Sequence, residues 1–176
     1  MGIVALRKEK PLSLLHVGCG SGYLPDWISG FDEVRLDIEN TCSPDIVANM
    51  TNMGEIGQYD AIFCQHALEH LAPHDVPVAL SEFLRVLSPG GSAMITVPDL
   101  EDVRPTDEVI LESPAGPITG LDMIYGYRKA LKEHPYMAHR TGFIKDTLHK
   151  AMLDAGFSKV KTDRLGNYNL MTVGKK

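Results

Sequence analysis

The chain has 176 residues, 44% hydrophobic and 23% charged, a balance typical of a soluble globular protein with one sizeable core. Its formal net charge of −6 argues against a broad phosphate-binding surface, and so against a nucleic-acid partner. No run of membrane-spanning length occurs, and Ile3-Val4-Ala5-Leu6 ahead of Arg7-Lys8-Glu9-Lys10 is too short for a signal-peptide core, so no membrane partner is expected.

A first strand is expected over Leu12 to Val17, ending in the turn Gly18-Cys19-Gly20-Ser21-Gly22. Tyr23 to Ile28, with Pro25 near its first turn, is a short helix candidate. Glu33 to Leu36, closed by Asp37, reads as the second strand, Ile46 to Ala48 as the third and Asp60 to Cys64 as the fourth. Val76, Leu80, Phe83, Leu84 and Leu87 share one helical face, and Ser88-Pro89-Gly90-Gly91 stops that helix before a fifth strand, Ala93 to Val97. Asp99 to Gly120 loses any period, a helix is expected over Leu121 to Glu133, and a last helix covers Ile144 to Ala155 with Gly156 as its cap. Lys159 to Arg164 and Asn169 to Val173 close the chain as antiparallel neighbours across a short link.

That order predicts one domain over residues 1–176, a three-layer α/β sandwich around a mostly parallel sheet. The links from the second strand to the third and from the third to the fourth are near or below the ~10–12 residues that a helical crossover needs, so helices there are reduced. An apolar face left bare by this loss needs a cover, either from the 99–140 insert or from a second subunit, hence an expected homo-oligomer. Cys19, Cys42 and Cys64 are odd in number and lack CxxC spacing, which speaks against a disulfide framework or a cysteine zinc site and fits a reducing cytoplasm. Seven Lys/Arg against three Asp in residues 145–176 are spread out, as on a solvated face.

Glycines at Gly18, Gly20 and Gly22, directly after an apolar strand, suit a turn against which a ligand can approach the main chain. The dinucleotide fingerprint wants its third glycine one position later, where Tyr23 stands, which disfavours a nicotinamide cofactor. Asp37 ends the second strand where a carboxylate reaches ribose hydroxyls, and Asn49-Met50 offers an amide and a flexible apolar side chain to an adenine. His66-x-x-Glu69-His70 has inverted-zincin spacing and leaves a zinc hydrolase open as an alternative, although no third ligand is specified and no metal is assigned.

Val17-Gly18-Cys19-Gly20-Ser21-Gly22, the Asp37 strand end, Tyr59-Asp60-Ala61-Ile62 running into Ala67-Leu68-Glu69-His70-Leu71, and Leu84 to Gly91 with Val97-Pro98 resemble the class I S-adenosylmethionine-dependent methyltransferases. The resemblance implies a Rossmann-like seven-stranded sheet of order 3-2-1-4-5-7-6, with the last strand pair antiparallel. It implies S-adenosylmethionine as cofactor, held at Gly18, Cys19 and Gly20 on its methionine side, at Asp37 and Ile38 on the ribose, at Asn49 and Met50 on the adenine, and at Gln65 and His66 beside the sulfonium. Two residues depart from the pattern: His16 and Asn49 stand where many members carry acids. A base, where the methyl acceptor must lose a proton, is sought among His66, His70, Tyr125 and His139, with Tyr127, Arg128, His134, Tyr136 and Arg140 in the same insert. His139-Arg140 suits an anionic group on the acceptor, and the insert is a candidate substrate cap or oligomer contact. A small-molecule or sugar-linked acceptor is expected; a non-catalytic binding or scaffold subunit is the alternative from another class.

Overall fold

The computed structural model describes residues 11–176. The apolar patch at residues 3–6 lies outside them. The strands are β1 (Leu12–Val17), β2 (Phe31–Asp37), β3 (Ile46–Val47), β4 (Tyr59–Gln65), β5 (Leu87–Pro98), β6 (Val109–Ser113), β7 (Gly116–Thr119), β8 (Ser158–Leu165) and β9 (Asn169–Lys175). The helices are α1 (Val76–Val86), α2 (Gly120–Tyr125) and α3 (Lys145–Asp154). Seven strands form one sheet in the order β3-β2-β1-β4-β5-β9-β8, which is the expected order once the hairpin β6–β7 is counted separately. β1 pairs in parallel with both β2 and β4, whereas β9 runs antiparallel between β5 and β8.

Side-chain alternation sorts the sheet's faces. Leu15, Val17, Leu36, Ile62, Cys64, Ala93, Ile95 and Val97 belong to one buried cluster with Leu80 and Phe83 of α1 and Leu148 and Met152 of α3. Both long helices therefore cover the same face. α1 buries Val76, Ala79, Leu80, Phe83 and Val86 along one stripe, and Pro89 prevents its continuation.

The opposite face has a thin cover. Residues 22–30 form only a turn closed by Ile28 N–H to Pro25 O, so the short helix expected over Tyr23 to Ile28 is absent. A proline in mid-segment and glycines at both ends leave too few residues for a helical nucleus. Trp27 instead meets Phe63 edge-on at 6.2 Å between ring centres. Beside it lies a groove of about 650 Å³ lined by Leu12, Leu14, Phe31, Phe63 and Met94.

The 99–140 insert does not line this groove, which corrects the expectation that it covers the bare face. It crosses the carboxyl ends of the strands. Arg140 and Thr141 N–H both donate to Glu69 O, Thr141 Oγ1 donates to Leu71 O, and His134 Nδ1 stands 3.9 Å from Glu39. Helix α2 is much shorter than the expected Leu121–Glu133 element because Gly126, at φ 90°, breaks it against the 137–139 backbone. No helix among the described residues is long and apolar enough to cross a membrane.

Asp122 is the anchor of the insert. Burial opposes its charge, but the Thr119 hydroxyl, the Arg128 guanidinium and two backbone N–H groups outweigh this and hold its carboxyl at about 2, against the ordinary 3.8. Because the folded value is depressed, this stabilisation is present above pH 3.8 and is lost as the pH falls through about 2. Protection of the insert from proteolysis is expected to disappear over that acid window, and Asp122→Asn is expected to remove this dependence.

Candidate functional site

The site lies at the carboxyl ends of β1, β2 and β4. Gly18 and Cys19 N–H donate to Leu36 O at 2.8 and 3.2 Å, which folds the turn onto the end of β2. Gly18 has φ 65° and Gly20 has φ 50°, so both take the left-handed region. Their surroundings differ. A Cβ on Gly18 would collide with that of Ala67, whereas one on Gly20 would find nothing within 4 Å. Gly18 is thus required by packing, and Gly20 leaves open main chain toward a ligand. Gly18→Ala is expected to destabilise by about 3 kcal/mol, and Gly20→Ala by about 1 kcal/mol, in urea unfolding.

The Asp37 carboxylate accepts N–H from Gly20 at 2.8 Å and from Glu39 at 2.9 Å, which fixes both oxygens and leaves lone pairs for further donors. Arg35 donates from Nη2 to Gly20 O at 2.6 Å, securing the turn from below. Asn49 is exposed, and its Oδ1 accepts from Thr51, so its amide N–H groups remain the outward donors. Met50 Cε lies 3.8 Å from where a Gly18 Cβ would be, Ile38 is exposed, and Gln65 is exposed at the end of β4. The expected cofactor residues therefore surround one end of the sheet. His16 is different: it is buried, pairs through Nδ1 with Glu33 at 2.7 Å, and faces Phe63 on the thinly covered side.

Beyond Gln65 the chain enters a 3-10 turn, Leu68–His70. His66 has φ 49°, a strained conformation for a residue with a side chain, held by its N–H to Thr96 O. Glu69 is 1% exposed, and neither carboxylate oxygen has a well-aligned hydrogen bond. Its charge is met by histidines instead. His66 Nδ1 is 3.3 Å from Oε1, and ligand atoms of Glu69, His70 and His139 lie within 4.8 Å of one another. Burial pushes the Glu69 carboxyl up, but contact with His66 and the nearby His70 and His139 bring it below its ordinary value. Burial likewise opposes a charge on His66, but Glu69 and the Asn169 side chain raise its imidazole above 6.5. In His139 burial wins and lowers the value.

Three of the four expected catalytic candidates, His66, His70 and His139, therefore converge on one carboxylate. Tyr125 does not join them: its side chain is exposed, and only its carbonyl takes part, accepting from His139 N–H. Arg128 is spent on Asp122 and Asp107, Tyr136 and Arg140 are exposed, and the Tyr127 hydroxyl packs by Gly116. The grouping differs from the inverted-zincin one: the ligand atoms that meet are those of Glu69, His70 and His139 rather than His66 and His70, and His70 Nδ1 and Nε2 lie 3.3 and 3.1 Å from Ala138 O and His66 O. Glu69 as the hub and Asn169 beside His66 went unrecognised in the sequence as parts of a base site. The signal for the first is an acid inside the apolar run Ala67-Leu68-Glu69-His70-Leu71.

A family described as a methyltransferase domain matches residues 3–162. No curated protein matches the sequence. Among solved structures, an S-adenosylmethionine-dependent methyltransferase from Mesorhizobium loti is similar with a TM-score of 0.64 and 14% identity, over 97% of this chain and 94% of that one. The Burkholderia thailandensis 1,6-didemethyltoxoflavin-N1-methyltransferase, bound to 1,6-didemethyltoxoflavin and S-adenosylhomocysteine, has a TM-score of 0.64 and 15% identity, over 95% and 72%. Human N-acetylserotonin methyltransferase with S-adenosylmethionine has 0.65 and 14%, over 94% of this chain but 48% of its own. The chain spans about half the length of several of the structures it matches.

Proposed function

This chain belongs to the methyltransferase domain family, and from that premise we propose that it moves a methyl group from S-adenosylmethionine to a hydroxyl or amine of a small-molecule or sugar-linked acceptor, with His66 as base. The observation that carries the base assignment is the strained His66 held against the buried, otherwise unpartnered Glu69. The small-molecule preference is supported by the net charge of −6 and by the toxoflavin-type substrate of one structural neighbour.

When bound, the cofactor supplies a sulfonium methyl for in-line displacement. The chain's own part is placement and proton transfer. Asp37 accepts from ribose hydroxyls with the lone pairs that Gly20 and Glu39 leave free. Open main chain at Gly20 admits the methionine portion, and the Asn49 amide with Met50 receives the adenine. His66 turns Nδ1 to Glu69, so Nε2 is the nitrogen that takes the acceptor's proton, and the imidazolium that forms is stabilised by Glu69. His70 and His139 set the field around that carboxylate, and the insert overhead is the substrate cap.

Calorimetric titration of chelator-treated protein with S-adenosylmethionine and S-adenosylhomocysteine is the test. Binding of both in the micromolar range is the expected result. Absence of binding to either would sink the reading and leave a scaffold subunit in its place.

A further inference from the structure

The turn after β1 and the turn after β2 each carry a cysteine, and the fold brings the two together. Cys19 is fixed by its N–H to Leu36 O, and Cys42 ends a 3-10 turn, Asn40–Cys42, with its thiol donating to Glu39 O at 3.0 Å. Both sulfurs and the Asp37 carboxylate lie within 4.8 Å of one another. The Arg35 guanidinium, whose Nη2 donates to Gly20 O at 2.6 Å, braces the same turn. Cys42 is half-buried and thus open to a small oxidant, whereas Cys19 is buried behind it. Cys64 is a different case: it is fully buried in the helix-covered core, and burial pushes its thiol far up.

We propose that Cys19 and Cys42 form a reversible disulfide that disables the cofactor site, a clause that rests on the methyltransferase reading above. A peroxide oxidises the Cys42 thiol to a sulfenic acid, releasing one water. The Cys19 thiolate then attacks that sulfur, the S–S bond forms, and the sulfenic oxygen leaves with two protons as a second water. Overall two thiols lose two protons and two electrons, and one peroxide becomes two waters. The new bond draws the sulfurs to about 2.0 Å and ties the glycine turn to the loop after Asp37, across the carboxylate that serves the ribose. An odd cysteine count with no CxxC is compatible with this, since the pair is a switch made by tertiary contact and not a framework.

The experiment uses the full chain, reduced and chelator-treated, exposed to a few equivalents of hydrogen peroxide. Mass mapping under non-reducing conditions is expected to find a Cys19–Cys42 linked peptide two hydrogens lighter than its parts. S-adenosylhomocysteine affinity is expected to fall by roughly tenfold or more and to return with dithiothreitol. Cys42→Ser is expected to keep its affinity through the same treatment. Absence of the linked peptide, a linked protein that binds as before, or equal loss in Cys42→Ser each overturns the proposal. Should the reduced protein itself not bind, the cofactor reading fails and control of binding goes with it, whereas the linked peptide still decides whether the modification site exists.

Discussion

Asp37→Ala is expected to weaken S-adenosylhomocysteine binding by about 100-fold or more, close to 3 kcal/mol at ~1.4 kcal/mol per factor of ten. Two terms add. Hydrogen bonds to a charged acceptor contribute about 1.5–3 kcal/mol each, and a ribose offers two hydroxyls to this one carboxylate. The same carboxylate also holds the Gly20 and Glu39 N–H groups, so its removal loosens the turn against which the methionine portion rests. Water reaches this half-buried position, so the fold itself loses only about 1 kcal/mol. Asp37→Asn keeps one acceptor oxygen and falls between. Titration calorimetry with a parallel urea melt separates the terms, and an affinity within threefold of wild type would dispose of Asp37 as the ribose group.

Glu69→Gln is the second large effect. It preserves shape while removing the charge at the centre of three histidines. The rate constant is expected to drop by about 10²–10³, the range for losing an oriented base. Its pH profile carries the distinguishing information. His66 acts as a base only when neutral, and Glu69 raises its value above 6.5, so wild-type activity appears as pH climbs through that raised value. With glutamine the charge of Glu69 is gone and only the Asn169 side chain still opposes burial of the imidazole, so the acidic limb moves to lower pH while the plateau falls. A lowered plateau with an unmoved limb would mean that Glu69 acts only on packing. Glu69→Ala, which also leaves a void, is the poorer probe because lost packing confounds the rate.

The parts of this molecule that were legible in the sequence are those settled by neighbours along the chain. The apolar runs of β1 and β4, the Gly18–Gly22 turn, Asp37 at a strand end and the α1 stripe all declare themselves within a few residues. The insert does not. Hairpin β6–β7 is hidden because Glu112 and Pro117 interrupt any apolar alternation, and its turn at Ser113–Gly116 is set by side-chain bonds. The helix expected over Tyr23 to Ile28 rests on Pro25 near a first turn, whereas the segment forms only a turn that sets Trp27 edge-on to Phe63. His139 reaches Glu69 across 70 positions, guided by Arg140 N–H and the Thr141 hydroxyl, and no local pattern encodes such a meeting. The candidates could be gathered from the sequence by residue type; only the fold could choose among them.

The placement of β9 between β5 and β8 bears on when the molecule becomes competent during synthesis. The residues proposed for the cofactor all precede Ala67, whereas Tyr168 O, which accepts from Asp99 N–H, and Asn169, which helps to raise the His66 imidazole, come from the later hairpin β8–β9. Until that hairpin emerges from the ribosome, β5 has an open edge and the base lacks its support. On the proposed reading, a nascent chain holds the residues assigned to the nucleoside before it holds the support of the assigned base.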